Sequence, residues 1–254
     1  MKEYFEHLNR YYDKIYVLSV ESAAERREKF TKYFQGLQYS FFFGADKNKF
    51  TIEELVQKKI YSEKLTISHH RYNKTMRPGE IACAWSHKMM YEDIIKNNFE
   101  KALIFEDDAM PDAGMIQLVP EILNEIPGNC ELLLWGWDKN DQANLGTTLK
   151  QAWYHMMHAV GLLKWKHSVI RNLFAKPFSS HLKLAGFHDY TYAYGITKGG
   201  AEKLLAMQTP IQYIADNLLG FATTQQTLHA YITYPAVFLH DSLPDGTHRD
   251  SYIR

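Results

Sequence analysis

The chain has little that would mark it as secreted, membrane-spanning or nucleic-acid-binding. Its 254 residues include two cysteines, Cys83 and Cys130, too few for a disulfide framework or a zinc cage. The N-terminus lacks the apolar core of a signal peptide, and no stretch is apolar over the length that spans a bilayer. Lysine plus arginine equals aspartate plus glutamate, at 29 each, so net charge does not indicate nucleic-acid binding. We expect a cytoplasmic protein with reduced thiols.

The segment between Asp141 and Asp189 lacks acidic residues altogether. Residues 142–188 contain six lysines and arginines, five histidines and several interleaved aromatic side chains. Such a composition is typical of a surface for anionic lipid or anionic saccharide, and therefore of a peripheral membrane contact. The alternative is a pair of ordinary amphipathic helices whose apolar side is core and whose basic side is solvated. Both interpretations stay open here.

Strands and helices alternate along the chain, which predicts an α/β fold. A β-branched strand over 14–20 is followed by a Ser22–Glu25 capping-box pattern, a helix to Phe34 and a second strand over 39–43. Further buried strands and helices follow, with a loop over 62–75 and no expected structure after Asp245. We expect a single domain over 1–254 with a mostly parallel central sheet flanked by helices. Residues 138–190 would form a helical, basic insertion.

One short run is chemically unusual: four apolar residues over 102–105 lead directly into Glu106, Asp107 and Asp108. The run predicts a buried strand, and three adjacent carboxylates at its end repel one another. The next basic residue along the chain is Lys139. A divalent cation is the usual compensator, and the carboxyl end of a buried strand is where open α/β sheets bind ligands. The alternative is an acidic turn that binds nothing.

A long helix is predicted to begin at Pro78 and to carry polar residues on one face. Glu80, Cys83 and His87 share that face, and Ser86 precedes His87. Polar groups on an otherwise apolar face need partners. Glu80 and His87 would bind a nucleotide or orient a metal ligand, or they would hydrogen-bond to each other and fix the helix.

Four segments together resemble glycosyltransferase family 25. They are residues 18–27, 79–87, 104–108 and 193–197, and the similarity extends from about 14 to 240. That family includes bacterial lipooligosaccharide β-galactosyltransferases and animal collagen galactosyltransferases. The resemblance implies a GT-A-like nucleotide-sugar-binding fold, a UDP-sugar donor, most often UDP-galactose, and a divalent metal, usually Mn²⁺, with Mg²⁺ as the alternative. It also implies a lipid-linked saccharide acceptor of lipooligosaccharide or lipopolysaccharide, and a cytoplasmic enzyme peripheral to the inner membrane.

The resemblance also implies roles for individual residues. Asp108 matches the direct metal ligand, Glu106 a contact to ribose or to the metal's water, and His240 a further ligand. An exposed histidine without a ligand is the alternative for His240. The residues expected around the nucleotide sugar are Ser19, Ser22, Arg26, Glu80, Ser86, His87, Glu106 and Asp107.

Sugar transfer with inversion passes through an oxocarbenium-like transition state and needs a base for the acceptor hydroxyl. We expect that base to be Asp216, with Asp189 behind it, although Asp216 also suits the cap of a helix that begins at 217 or 218. Two other functions stay open. A metal-dependent phosphoesterase also uses clustered acids, and a non-catalytic member would bind saccharide or lipid through its basic segment.

Overall fold

The computed structural model of the chain describes residues 1–70, 73–142 and 144–241. Its central feature is an eight-stranded mixed sheet with the order β2-β1-β3-β8-β5-β9-β7-β6, beside a two-stranded ribbon of β4 and β10. The strands are β1 (Lys14–Ser19), β2 (Ser40–Phe43), β3 (Lys101–Glu106), β4 (Ala109–Pro111), β5 (Leu132–Asp138), β6 (Lys176–Pro177), β7 (Leu182–Leu184), β8 (Asp189–Thr197), β9 (Ala230–Thr233) and β10 (Phe238–His240).

Helices cover both faces of this sheet. They are α1 (Lys2–Tyr11), α2 (Ala24–Tyr33), α3 (Ile52–Gln57), α4 (Glu63–His69), α5 (Pro78–Lys96), α6 (Val119–Glu125), α7 (Leu145–Ala159), α8 (His167–Arg171), α9 (Lys198–Met207) and α10 (Ala215–Thr224). Among the described residues, none of these helices combines the length and the apolar character needed to cross a membrane.

Strand β3 shows how the two apolar layers arise. Leu103 and Phe105 face a core shared with α1, α2 and α6, whereas Ala102 and Ile104 face a core shared with α5, α9 and α10. Successive side chains of a strand point to opposite faces, so an uninterrupted apolar run is required when both faces are covered. The predicted α/β fold with helices flanking a central sheet is confirmed.

Strand direction brings chemically important residues to one edge of the sheet. Strand β1 pairs in parallel with β3, so Ser19 and Glu106 both lie at strand ends on this edge. Strand β8 runs antiparallel to β3 and to β5, and it therefore begins at the edge where they end, with Asp189 opposite Asp138. The ribbon adds a further residue, because His240 of β10 pairs with Ala109 just after the acidic turn.

Two local expectations were wrong. Helix α2 begins at Ala24 with Ala23 as its N-cap, and no side chain caps it, so Ser22 forms no capping box. The segment over 62–75 is not wholly a loop, because α4 forms where Ser62 accepts a hydrogen bond from the Leu65 amide; residues 71–72 lie outside the described residues.

The segment over 138–190 contains the expected helices α7 and α8, but it also contributes two strands to the central sheet. Strand β7 pairs with β9, and β6 pairs with β7. The segment is therefore joined to the sheet by backbone hydrogen bonds. The polar tail after Asp245 lies outside the described residues.

The centre of the sheet is tightly packed around Gly195. A Cβ added there would lie 2.2 Å from the hydroxyl oxygen of Tyr12, which accepts a hydrogen bond from the Trp135 indole at 2.7 Å. We expect Gly195→Ala to lower the free energy of unfolding by about 1–3 kcal/mol through overpacking. Gly128→Ala is the control, because nothing lies within 4 Å of its added Cβ. Equal unfolding midpoints in urea for the two variants would contradict this packing argument.

Candidate functional site

A cleft of about 390 Å³ opens at the edge where β1 and β3 end. We call it the donor-side cleft. Its walls come from the end of β1, the loop after β2, helix α5, the acidic turn after β3, and the first residues of β8. Eight of the residues expected from the sequence line it: Ser19, Ser22, Arg26, Ser86, Glu106, Asp107, Asp108 and His240.

Asp107 is buried, and the protein itself occupies both of its carboxylate oxygens. The Ser19 hydroxyl donates to Oδ2 at 2.5 Å, and a guanidinium nitrogen of Arg26 lies 2.5 Å from Oδ1. Burial raises the pKa of Asp107 to about 6, against the opposing effects of Arg26 and Ser19. Asp107 therefore serves to hold Arg26 and the end of β1 together, rather than to present a free carboxylate to the cleft.

Asp108 is placed differently. Its Oδ2 pairs with Arg26 and lies 3.2 Å from Nε2 of His240. Burial favours a high pKa, but the hydrogen bond from His240 and the charge of Arg26 hold the pKa of Asp108 below its ordinary value. Its Oδ1 is buried and has no hydrogen-bond partner among the described residues. This carboxylate is thus ionised and has one oxygen available to a ligand.

Arg26 was expected near the uracil or the diphosphate, but its role towards the acidic turn was missed. In the sequence the three acids have no cationic neighbour after them before Lys139. Arg26 reaches Asp107 and Asp108 from α2, across the parallel β1–β3 pair. The only signal in the sequence was the predicted β-α-β order. In a parallel sheet the helix after β1 begins at the edge where β1 and β3 both end. Repulsion between the acids therefore does not by itself demand a metal.

The donor atoms around Asp108 nevertheless fit a divalent cation. The unpartnered Oδ1 of Asp108 is a carboxylate oxygen, and the imidazole of His240 lies beside the same carboxylate. Glu106, the last residue of β3, lines the same cleft, although its ligand atom lies nearer to those of Cys83 and His87. Carboxylate oxygen combined with imidazole suits Mn²⁺ and related cations. Burial lowers the pKa of the His240 ring, whereas the hydrogen bond with Asp108 and the charge of that carboxylate raise it. The net effect is a raised pKa.

A second group of donor atoms comprises Cys83, His87 and Glu106, whose ligand atoms lie within 4.8 Å of one another. Burial raises the pKa of the Cys83 thiol well above its usual value, and the charges of Glu106, Asp216 and Asp108 add to that. Because thiolates rather than thiols bind metals, this group is the poorer candidate.

The polar residues of α5 have separate roles. Glu80 does not line the cleft: its carboxylate accepts the Arg77 amide at 2.7 Å and completes a capping box at the start of α5. His87 is buried behind the cleft wall, where its Nδ1 lies 2.7 Å from the Tyr194 hydroxyl and its Nε2 lies 3.9 Å from Glu106. The expected alternative of a Glu80–His87 hydrogen bond is therefore wrong.

Ser86 belongs to the cleft and shapes the loop after β2. Its hydroxyl donates to the Ala82 carbonyl at 2.7 Å and accepts the Ala45 amide at 2.9 Å. These bonds fix the loop that contributes residues 45–48 to the cleft wall. Gly44 is required here, since a Cβ at that position would lie 2.2 Å from the Ser86 hydroxyl oxygen.

Asp216 and Asp189 lie next to the donor-side cleft, on either side of the backbone of Tyr190. Asp216, in the first turn of α10, accepts the Tyr190 amide at 3.4 Å and the Asn217 amide at 2.6 Å. The N-cap is Ile214, so the expected alternative of Asp216 as the cap is wrong. Burial, then the charges of Asp189 and Glu106, raise the pKa of Asp216 to about 6. Asp189 pairs with Lys139 at 2.5 Å.

A second cleft, of about 330 Å³, begins beyond Asp189. We call it the acceptor-side cleft, and sequence reasoning did not identify it as a site. Its lining is basic and aromatic, with His69 and His70 at the end of α4, Lys150 and Tyr154 on α7, and Trp165. The Trp165 ring is stacked on Phe187, with centroids 5.7 Å apart. The acid-free segment supplied the signal, but the contribution of α4 was hidden because a loop was expected there.

The family of the chain follows from a comparison with known proteins. A family model described as "Glycosyltransferase family 25 (LPS biosynthesis protein)" matches residues 12–219. The chain belongs to glycosyltransferase family 25. The matched range contains the residues that line both clefts except for Phe221 and His240, and the family resemblance read from the sequence is confirmed.

Relatives within glycosyltransferase family 25 are distant and longer. A Bos taurus "Probable inactive glycosyltransferase 25 family member 3" is 23% identical over 198 residues, covering 78% of this chain and 29% of that relative. An Aedes aegypti "Glycosyltransferase 25 family member" is 26% identical over 196 residues, covering 75% of this chain and 27% of that relative. The chain thus spans less than a third of these relatives.

Among solved structures, the apo crystal structure of mouse xyloside xylosyltransferase 1 aligns with a TM-score of 0.42 and 10% identity. The alignment covers 85% of this family 25 chain and 70% of the mouse chain.

Arg26→Gln tests the ionic core of this family 25 site. In EDTA at pH 7 we expect the free energy of unfolding to fall by about 3 kcal/mol, because two buried carboxylates lose their counter-charge. The loss should shrink at pH 5. Without the guanidinium the folded-state pKa values of Asp107 and Asp108 rise. As the pH falls, protonation of these carboxylates therefore removes part of the unfavourable buried charge in the variant. Urea denaturation at both pH values measures these losses.

Arg10→Gln is the matched control, because Arg10 forms an exposed pair with Glu6 on α1 at 3.4 Å. Its effect should stay below about 0.5 kcal/mol at both pH values. A loss for Arg26→Gln that is the same at pH 5 and pH 7 would show that the guanidinium does not stabilise the ionised acids.

Proposed function

We propose that the chain transfers a sugar from a nucleotide diphosphate donor to a saccharide hydroxyl. In its specific form the donor is UDP-galactose, the transfer inverts the anomeric centre, and the acceptor is a lipid-linked saccharide of lipooligosaccharide or lipopolysaccharide. The observation that carries the proposal is Asp108, an ionised carboxylate with one unpartnered oxygen, beside Arg26 and His240 in a cleft of ligand size. Membership of family 25 supports the reaction class.

The donor-side cleft offers complementary groups to each part of a nucleotide sugar. Arg26 provides a fixed positive charge for the diphosphate, and Ser22 adds a hydroxyl on the same side. Leu18, Val20 and Ala82 form apolar walls suited to a flat base. Asp107, whose oxygens are already occupied, contributes by positioning Arg26.

A divalent cation, when bound, supplies Lewis-acid stabilisation to the departing diphosphate. Asp108 would hold it, with His240 and Glu106 as the other protein ligands. Arg26 is close enough to Asp108 to act on the same leaving group. The negative charge that develops on UDP would therefore meet a preorganised positive region.

Asp216 is the proposed base for the acceptor hydroxyl. Its pKa of about 6 lets it ionise at neutral pH while it retains appreciable basicity. It contacts the backbone of Tyr190, which lines the donor-side cleft, and Asp189 lines the acceptor-side cleft on the other side. An acceptor sugar in the acceptor-side cleft would approach the donor past this carboxylate, with Trp165 and Tyr154 as stacking surfaces for sugar rings.

The first test incubates the protein with UDP-galactose, Mn²⁺ and a panel of saccharide acceptors. We expect a galactosylated product, detected by mass spectrometry. Asp108→Asn should reduce transfer about 10³-fold and weaken Mn²⁺-dependent UDP binding, because the ionised metal ligand becomes a neutral amide. Glu28→Gln is the control: it also removes one carboxylate, but from an exposed pair with Lys32 on α2.

The same assay separates the other functions. Release of galactose 1-phosphate and UMP without any transfer product would indicate a phosphoesterase, because water then attacks the diphosphate and not the anomeric carbon. Absence of both reactions, together with saccharide binding, would indicate a non-catalytic member. Full transfer activity in Asp108→Asn would show that Asp108 is not needed for sugar transfer.

Asp216→Asn should lower kcat by about 10²–10⁴-fold and leave the affinity for UDP-galactose within about twofold, since the carboxylate acts on the acceptor. Wild-type kcat should rise with pH up to about 6 and then level off, because Asp216 must lose its proton to act as a base. Steady-state kinetics across the pH range measures both effects. Near-normal turnover in Asp216→Asn, with loss in Asp189→Asn, would transfer the role to Asp189.

A further inference from the structure

The outward face of α7 is apolar. Leu145, Leu149, Trp153, Met156 and Val160 follow one another at intervals of three and four residues, and 48–79% of each side chain is exposed. This spacing places them in one stripe along the helix. Ala152 and Ala159 are exposed on the same side, and none of the α7 residues is buried.

The opposite side of α7 is the one that contacts the rest of the protein. Lys150 and Tyr154 line the acceptor-side cleft, and His155 lies 2.9 Å from His167 at the start of α8. A surface helix normally turns its charged side to water and its apolar side to the core. Helix α7 does the reverse, so its apolar stripe is available to a partner outside the described residues.

The stripe is longer than the helix. Leu162, just beyond the C-terminus of α7, is 71% exposed and extends the apolar surface. At 1.5 Å per residue, the 15 residues of α7 give a stripe about 22 Å long. Apolar surfaces of this extent are uncommon on soluble monomers and mark an interaction site.

The charges beside the stripe indicate what covers it. Lys164 and Lys166 are exposed just after α7, and residues 142–188 contain no acidic residue. Packing against a second copy through the same stripe would bring these lysines together, which is unfavourable. An anionic lipid surface satisfies both features, because it accepts apolar side chains below its headgroups and attracts the flanking lysines. Trp153 suits the boundary between headgroup and acyl chain.

We propose that the outward face of α7 docks in the plane of an anionic lipid bilayer. The helix lies flat, with Leu149 and Met156 among the acyl chains, Trp153 at the boundary with the headgroups, and Lys164 and Lys166 at the headgroups. This proposal does not depend on sugar transfer. It has a consequence for the proposed reaction, however, because the inner side of α7 is a wall of the acceptor-side cleft. Docking would hold that cleft about one helix diameter, ~10 Å, from the headgroups, within reach of a lipid-linked saccharide.

The test is co-sedimentation with vesicles of phosphatidylcholine and phosphatidylglycerol, compared with phosphatidylcholine alone. We expect the wild-type chain to pellet with the anionic vesicles, more strongly at low salt. The double variant Leu149→Gln/Trp153→Gln should bind at least about tenfold more weakly, since two large apolar side chains no longer enter the bilayer. No donor or acceptor is needed, so the result is independent of whether the chain is a transferase.

Two controls make the result specific. Val56→Gln changes an exposed apolar side chain on α3, 41% exposed, and should bind vesicles as the wild type does. Leu149→Gln/Trp153→Gln should keep the wild-type melting temperature and the wild-type transfer rate towards a water-soluble acceptor, because the changed side chains face away from both clefts. Each variant is checked by circular dichroism.

Three outcomes would overturn the proposal. The first is absence of wild-type binding to the anionic vesicles at low salt. The second is unchanged binding by the double variant. The third is a wild-type dimer in sedimentation that the double variant abolishes, which would assign the stripe to a second copy of the chain.

Discussion

The ion pairs of Arg26 with Asp107 and Asp108 are the interaction on which the site depends. Three successive acids stand at the end of β3, with Glu106 as its last residue, and burying them without a cation would be strongly unfavourable. Burial keeps the pKa of Asp107 near 6 even with Arg26 in place, so Arg26 offsets only part of the cost of burying this carboxylate. Such a site can exchange one charged partner of Arg26 or Asp108 for another. In the proposed reaction Arg26 would offer its positive charge to the diphosphate, and Asp108 would hold a divalent cation.

The direction of the strands makes this arrangement possible. Parallel pairing of β1 and β3 brings Ser19 and the helix that carries Arg26 beside the acidic turn. Strand β8 enters from the opposite direction, so Thr191 can donate its hydroxyl hydrogen to Glu106, while Tyr190 lines the donor-side cleft and Asp189 the acceptor-side cleft. The ribbon of β4 and β10 completes the edge, where the Asp241 amide donates to the Asp108 carbonyl at 2.8 Å. Elements far apart in sequence thus share one electrostatic environment.

Much of this edge could be predicted from the sequence, because its signals are local. The apolar run before Glu106 indicates a buried strand with acids at its end, and Pro78 correctly predicts the start of α5. What the sequence could not indicate was pairing across distance. Arg26 appears as one helix residue among many, and only the sheet order shows that it faces the acids. Likewise α4 was missed because its capping serine lies in a polar segment without clear hydrophobic period.

Helix α7 shows why periodicity alone could not decide between two interpretations of the basic segment. An apolar stripe at helical spacing has the same sequence pattern whether it faces a core or solvent. The structure decides between a stripe that faces the core and one that faces solvent. The side of α7 with Lys150 and Tyr154 faces the acceptor-side cleft, and the side with Leu149 and Trp153 faces outward. One helix therefore has a polar inner side that meets the proposed saccharide and an apolar outer side that meets the proposed bilayer. A lipid-linked acceptor is the one substrate class for which both sides of α7 would act together.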